Sequence, residues 1–146
     1  MRYTLLFSIF LFVIFTGCKK DSAGDGPTLK FKNVTSTELH SGDMVQFTLS
    51  FDGGSGDDTI TVEKIVPYCI GSSFVQSYPI PAYPVSKDQN GEVTVTYGYN
   101  PSDPAYQNIA PQCQQNDTAV FRFFIRDSKQ HTSDTVSSPT IILYYQ

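Results

Sequence analysis

Apolar side chains at Val45, Phe47, Leu49 and Phe51 alternate with Gln46, Thr48 and Ser50. A period of two puts one set on each face of a half-buried strand, and no helix tolerates that spacing. The same period recurs through Leu29–Val34, through Val93, Val95 and Tyr97, and through Ala119, Phe121, Phe123 and Ile125, where Arg122 and Arg126 take the other face. Thr59 to Val66 is rich in β-branched residues, with Ile60 and Val62 on one face, and Thr135-Val136 with Thr140 to Tyr145 reads as a last strand. Ser41-Gly42-Asp43, Asp52 to Asp58 and Asp127 to His131 read as turns. Asn90-Gly91 reads as a hairpin turn, because both residues tolerate positive φ. After Cys18 no ten-residue stretch keeps helical spacing without Pro, Gly or β-branched interruption. Six to eight short strands in about 119 residues predict one all-β domain with one core, a β-sandwich, with an open barrel as the alternative.

The amino end carries different information. Arg2 precedes an apolar run from Leu5 to Phe15, broken only by Ser8. Thr16-Gly17-Cys18 follows, then Lys19-Lys20-Asp21. A basic start, a short apolar run and a small-residue exit mark an export signal. The run is shorter than the roughly 20 apolar residues that span a bilayer. Phe15-Thr16-Gly17-Cys18 resembles the lipobox of bacterial lipoproteins, with Phe15 where the strict pattern has Leu. That resemblance implies cleavage before Cys18, acylation of its sulfur and attachment to a membrane by several acyl chains, since one chain holds only marginally. It divides the chain into a signal peptide (1–17), a lipidated cysteine with a tether (18–27) and a folded domain (28–146). Lys19 to Pro27 has no apolar residue larger than Ala apart from its proline, so it cannot offset its ordering entropy and reads as flexible. The Lys, Asp and Ser after Cys18 resemble the start of Bacteroidetes-type outer-membrane lipoproteins, which implies a bacterial cell-envelope location. Asp117 to Leu143, with Phe-Arg-Phe-Phe-Ile-Arg-Asp-Ser and the return Ser133-Asp134-Thr135-Val136, is similar in pattern to immunoglobulin-like domains of bacterial lipoproteins. The chain has no Trp, so an antibody-type domain is not expected.

With Cys18 acylated, the odd count of three cysteines leaves Cys69 and Cys113 to pair in an oxidising compartment. The bridge closes a loop of roughly 44 residues, worth roughly 4 kcal/mol in the chain-entropy picture. The net charge of −4 argues against a nucleic-acid partner, which needs a basic footprint.

Candidate functional residues are scattered. Between Tyr68 and Pro111 prolines alternate with apolar residues, a pattern suited to a sheet edge or a polyproline-like loop. Tyr78, Tyr83, Tyr99 and Tyr106 in that region are candidates for a surface that recognises a protein or a glycan. The competing reading is rings that cap the core beneath long loops. Asp52, Asp57 and Asp58 crowd a glycine-rich loop and are candidate Ca²⁺ ligands, without the spacing of an EF-hand; Asp and Gly also favour turns for their own sake. No nucleophile elbow, zinc-binding helix or phosphate loop is present, and His40 and His131 lie among polar turn residues. The expectation is therefore a non-enzymatic binding or scaffolding lipoprotein without cofactor. A calcium-stabilised adhesion or glycan-binding module is the alternative, with a small hydrolase behind it.

Overall fold

Residues 26–81 and 90–146 are described by the computed structural model of the chain. Strand β1 (Thr28–Val34) is followed by the short β2 (Glu38–Leu39) and by β3 (Met44–Asp52). Then come β4 (Thr59–Ile65), a single 3₁₀ turn at Ile70–Ser72, β5 (Phe74–Pro79) and β6 (Asn90–Gly98). The chain closes with β7 (Asp117–Arg126), β8 (Val136–Ser137) and β9 (Ile141–Leu143). One sheet has the order β1-β3-β6, and the other β2-β9-β7-β4-β5, with β8 beside β7. All pairings are antiparallel except β2 with β9, which is parallel through Glu38↔Ile142 and Leu39↔Leu143. The two sheets pack face to face as an immunoglobulin-like β-sandwich, not as a barrel. Among the described residues no helix is long and apolar enough to cross a membrane.

Alternation explains the core. Val45, Phe47, Leu49 and Phe51 of β3 are buried, as are Ala119, Phe121, Phe123 and Ile125 of β7 on the facing sheet. Their aromatic rings join the layers: Phe47 lies 4.6 Å from Phe121 and 5.3 Å from Phe123, centroid to centroid. Tyr97 of β6 meets Phe121 at 5.6 Å and Phe74 of β5 at 5.6 Å. Tilted pairs at these distances each add about 0.5–1.5 kcal/mol beyond the area they bury. On the outer face of β4 and β7, Arg122 reaches Glu63 across the strands at 3.3 Å.

Two local expectations are corrected. Asn90-Gly91 is no hairpin turn. It opens β6, paired with Asp52 and Phe51 of β3, and neither residue has positive φ. Glycine is needed there for space: a Cβ on Gly91 would sit 2.5 Å from Cζ of Phe51. Gly91→Val is therefore expected to destabilise the fold by about 1–3 kcal/mol through overpacking against a buried ring, read as a lower urea midpoint. The last strand, secondly, is two pieces. Between β8 and β9 Ser138 gives its N–H to the Phe121 carbonyl (2.8 Å) and accepts the Phe121 N–H on its hydroxyl (3.0 Å). Pro139 then has no N–H to continue the ladder. Ser133 repeats the device on Ile125, at 2.9 Å for both bonds. The proline-rich region does supply a sheet edge, as its pattern suggests: β5 is a regular edge strand, and its Pro79 pairs with Thr59 at the strand's end, where a missing N–H disturbs least.

Candidate binding surface

The 3₁₀ turn lies at the tip of the loop joining β4 to β5, and a disulfide pins it. Cys69 and Cys113 are bonded, with an S–S distance of 2.00 Å and Cα atoms 6.0 Å apart. Backbone N–H groups of Cys69, Ser72 and Ser73 donate to Val66, Cys69 and Ile70 carbonyls at 3.0–3.2 Å. The Ser73 hydroxyl accepts from Val66 N–H and the Ser72 hydroxyl from Gln112 N–H, both at 2.9 Å. Cys69 points inward and is buried, so its neighbours on either side point out. Tyr68 is 87% exposed and Ile70 88% exposed. The segment lying against this tip, Gln112-Cys113-Gln114-Gln115-Asn116, is exposed and uncharged. An apolar pair on an immobilised loop, ringed by neutral polar groups, matches the composition of interface centres. Sequence reading passed over this tip, although Pro67 and Gly71 bracketing two large apolar residues beside a bridged cysteine was a signal for it.

The tip and Gly26, where the described residues begin, lie at opposite ends of the sandwich. Gly26 sits beside Gly53 and His131, next to the start of β4 and the end of β7, where Thr59 pairs with Arg126. Strand β4 carries the chain from there to the tip, and its 7 residues span roughly 23 Å at about 3.3 Å each.

Of the four candidate tyrosines, the three that are described do not form one surface. Tyr99 is buried and its hydroxyl donates to the Tyr144 carbonyl at 2.6 Å, so it is a core residue and not part of a recognition surface. Tyr78 is half-buried, with its hydroxyl bonded to Gln76 and 3.4 Å from that of Tyr97. Burial, reinforced by the Tyr78 hydroxyl, pushes the Tyr97 phenol far above its ordinary pKa. Tyr78 lines a hollow of about 480 Å³ with Ile60, Pro79, Pro81 and Val93–Thr96. Tyr106 is exposed and lines a neighbouring hollow of about 290 Å³ with Met44, Pro101 and Asp103, and Thr96 borders both. Tyr83, like Cys18 and the whole lipobox-like stretch, lies outside the described residues.

The acidic loop is arranged as a turn. Gly53, Gly54 and Gly56 all have positive φ. Asp58 is buried and accepts from the Ser55 N–H (3.0 Å) and hydroxyl (2.8 Å), while Asp52 and Asp57 are exposed. Among the described residues no three His, Cys, Asp or Glu side chains gather as a metal cluster. The two histidines stand at opposite ends: His40 stacks on Tyr144 at 4.7 Å, and His131 meets Asp127 at 2.9 Å. Burial alone would raise the Asp127 carboxyl, but the His131 backbone N–H, the His131 ring and the Lys129 backbone outweigh it and hold the pKa below its ordinary value. A depressed carboxyl stabilises the fold above its unfolded-state pKa and loses that contribution as pH falls through the folded-state value. Asp127→Asn is thus expected to cost about 1–3 kcal/mol at neutral pH, with the difference from the parent shrinking in acid, measured by urea unfolding across a pH series.

No known protein family matches the chain, and no curated protein matches its sequence. Solved structures similar in backbone include the alkylpurine DNA glycosylase AlkC of Pseudomonas fluorescens bound to DNA, at 8% identity and TM-score 0.48, covering 83% of this chain and 31% of that one. The sporulation control protein Spo0M of Bacillus subtilis gives 11% identity and TM-score 0.45, with 84% and 51% covered. A β-glucosidase from Listeria innocua gives 12% identity and TM-score 0.42, with 81% and 16% covered. This chain thus spans 51% or less of each, and none of these likenesses assigns it an activity.

Proposed function

We propose that this chain is a lipid-anchored, non-catalytic binding protein of the bacterial cell envelope, and that it engages a protein partner through Tyr68 and Ile70. The observation that carries the reading is the locked apolar tip at the end of the sandwich farthest from Gly26. Two large apolar side chains held in water by a disulfide-fixed loop offer apolar area that a partner would gain free energy by burying. Their rigidity lowers the entropy lost when a partner does so. The position suits a protein fixed at Cys18, because the tip then faces away from the membrane that holds it. The disulfide accords with export, since such bridges persist in oxidising compartments. The uncharged surroundings suit neither nucleic acid nor anionic lipid headgroups.

The test uses the full-length chain expressed in a bacterium of its own lipobox type, labelled with palmitate and extracted in mild detergent. The parent should carry label on Cys18 and migrate on a native gel well above its monomer mass. Tyr68→Asp combined with Ile70→Asp should keep the label and the melting temperature, because exposed substitutions change stability by only about 0.5 kcal/mol, and should migrate as the monomer. Identical migration of parent and variant removes the docking role, and absence of label removes the anchor.

A further inference from the structure

Lys64 belongs to an inward-facing row with Ile60, Val62 and Val66, and its side chain is 1% exposed. Its ammonium nitrogen lies 2.9 Å from the Ile109 carbonyl oxygen and 3.3 Å from Oδ2 of Asp117, whose side chain is fully buried. Oδ1 of Asp117 is buried with no hydrogen-bond partner among the described residues. A buried carboxylate with one oxygen unpaired is an expensive arrangement that calls for a reason. Desolvation lowers the Lys64 pKa, against the opposing charge of Asp117, and so favours the neutral amine. A neutral, desolvated lysine amine is a nucleophile. Here it is confined beside one carboxyl group, and that carboxyl carbon is one bond beyond the oxygen it touches.

We propose that Lys64 and Asp117 condense into an intramolecular isopeptide bond that joins β4 to β7. The reaction balances within the pair. One proton passes from Nζ to Oδ2, leaving a neutral amine and a neutral carboxylic acid. The nitrogen lone pair adds to Cγ, a second proton passes from nitrogen to Oδ2, and the Cγ–Oδ2 bond breaks to release one water. The product is an amide with a single N–H, which retains the Ile109 carbonyl as its acceptor. Oδ1 remains as the amide carbonyl oxygen. Condensation therefore replaces two buried charges by one neutral group and leaves the unpartnered oxygen uncharged, which is the less costly state in a low-dielectric interior. Confinement supplies the approach that makes amide formation feasible without an activating cofactor. Among the described residues no further carboxylate contacts the pair, so the protons move between the partners themselves and the bond forms slowly after folding.

The intact mass of the folded mature chain, with whatever acyl groups it carries at Cys18, tests this when measured after reduction and denaturation and compared with the same chain freshly folded. Protein held folded at neutral pH should become lighter by one water than the same chain at the start of the incubation. Tandem spectra should then show a branched peptide linking Lys64 to Asp117, with trypsin no longer cutting after Lys64. Asp117→Asn should lose one ammonia in place of water, and Lys64→Arg should keep its full mass. An unshortened mass in the aged parent overturns the proposal without any variant having to fold. So does a water loss that persists in Lys64→Arg, which would locate the dehydration elsewhere.

Discussion

Asp117→Ala is expected to lower the unfolding free energy by about 3–5 kcal/mol, the usual consequence of leaving one member of a buried ion pair alone. Lys64 would then hold its amine against the Ile109 carbonyl with no carboxylate beside it, in a region sealed from water. It must either carry an uncompensated charge or give up a proton, and both cost stability. The replacement of both partners, Lys64→Met with Asp117→Leu, should be far milder, between neutral and about 4 kcal/mol more stable than the ionised parent. Urea unfolding of the three proteins checks this. A double-variant loss equal to the sum of the losses of Lys64→Met and Asp117→Leu made singly would mean that Lys64 and Asp117 are not energetically coupled.

Joint replacement of Cys69 and Cys113 by Ala is expected to remove about 4 kcal/mol, from the loop-closure entropy that a 44-residue separation restores to the unfolded chain. The larger effect should be local. Without the bridge the loop from Val66 to Ser73 keeps only its turn hydrogen bonds and the contact from Gln112, so Tyr68 and Ile70 lose their fixed presentation. Thermal unfolding with and without reductant measures the first effect. Protease cutting after Tyr68 in the folded state, slow in the parent and fast in the variant, measures the second. A reduced protein that melts with the oxidised one would show that the bridge contributes nothing to stability.

Where burial falls on one face, the strands were plain in the chain itself. Val45–Phe51 and Ala119–Ile125 alternate because each strand lies between solvent and the opposite sheet. Strand β2 could not be read that way, for two residues have no period and only the parallel neighbour β9 makes Glu38 and Leu39 a strand. Asn90-Gly91 misled because a glycine required for φ freedom and one required for room look the same in sequence, and Phe51, distant in the chain, decides between them. Lys64 shares the parity of Ile60 and Val62, but a lysine in that register does not by itself announce burial. Its partner was invisible, because nothing local to Asp117 announces a buried amine. The Cys69–Cys113 pairing was legible from the count of cysteines. The tyrosines were not, since a ring that caps a core and one that meets a partner have the same side chain, and it takes the fold to bury Tyr99 against the Tyr144 carbonyl and leave Tyr106 exposed.

The serine-bridged return along β7 makes this flank of the molecule the place where it breathes. Residues 132–143 meet β7 through a single bridge, two short strands and the paired backbone and hydroxyl bonds of Ser133 and Ser138. They are not zipped to it by an uninterrupted ladder, so they can detach piecemeal while β3, β4 and β7 stay closed. Deuterium should enter the amides of Phe121 and Ile125 sooner than those of their inward neighbours on β3. The sandwich would thus fray along one seam and keep its aromatic centre dry.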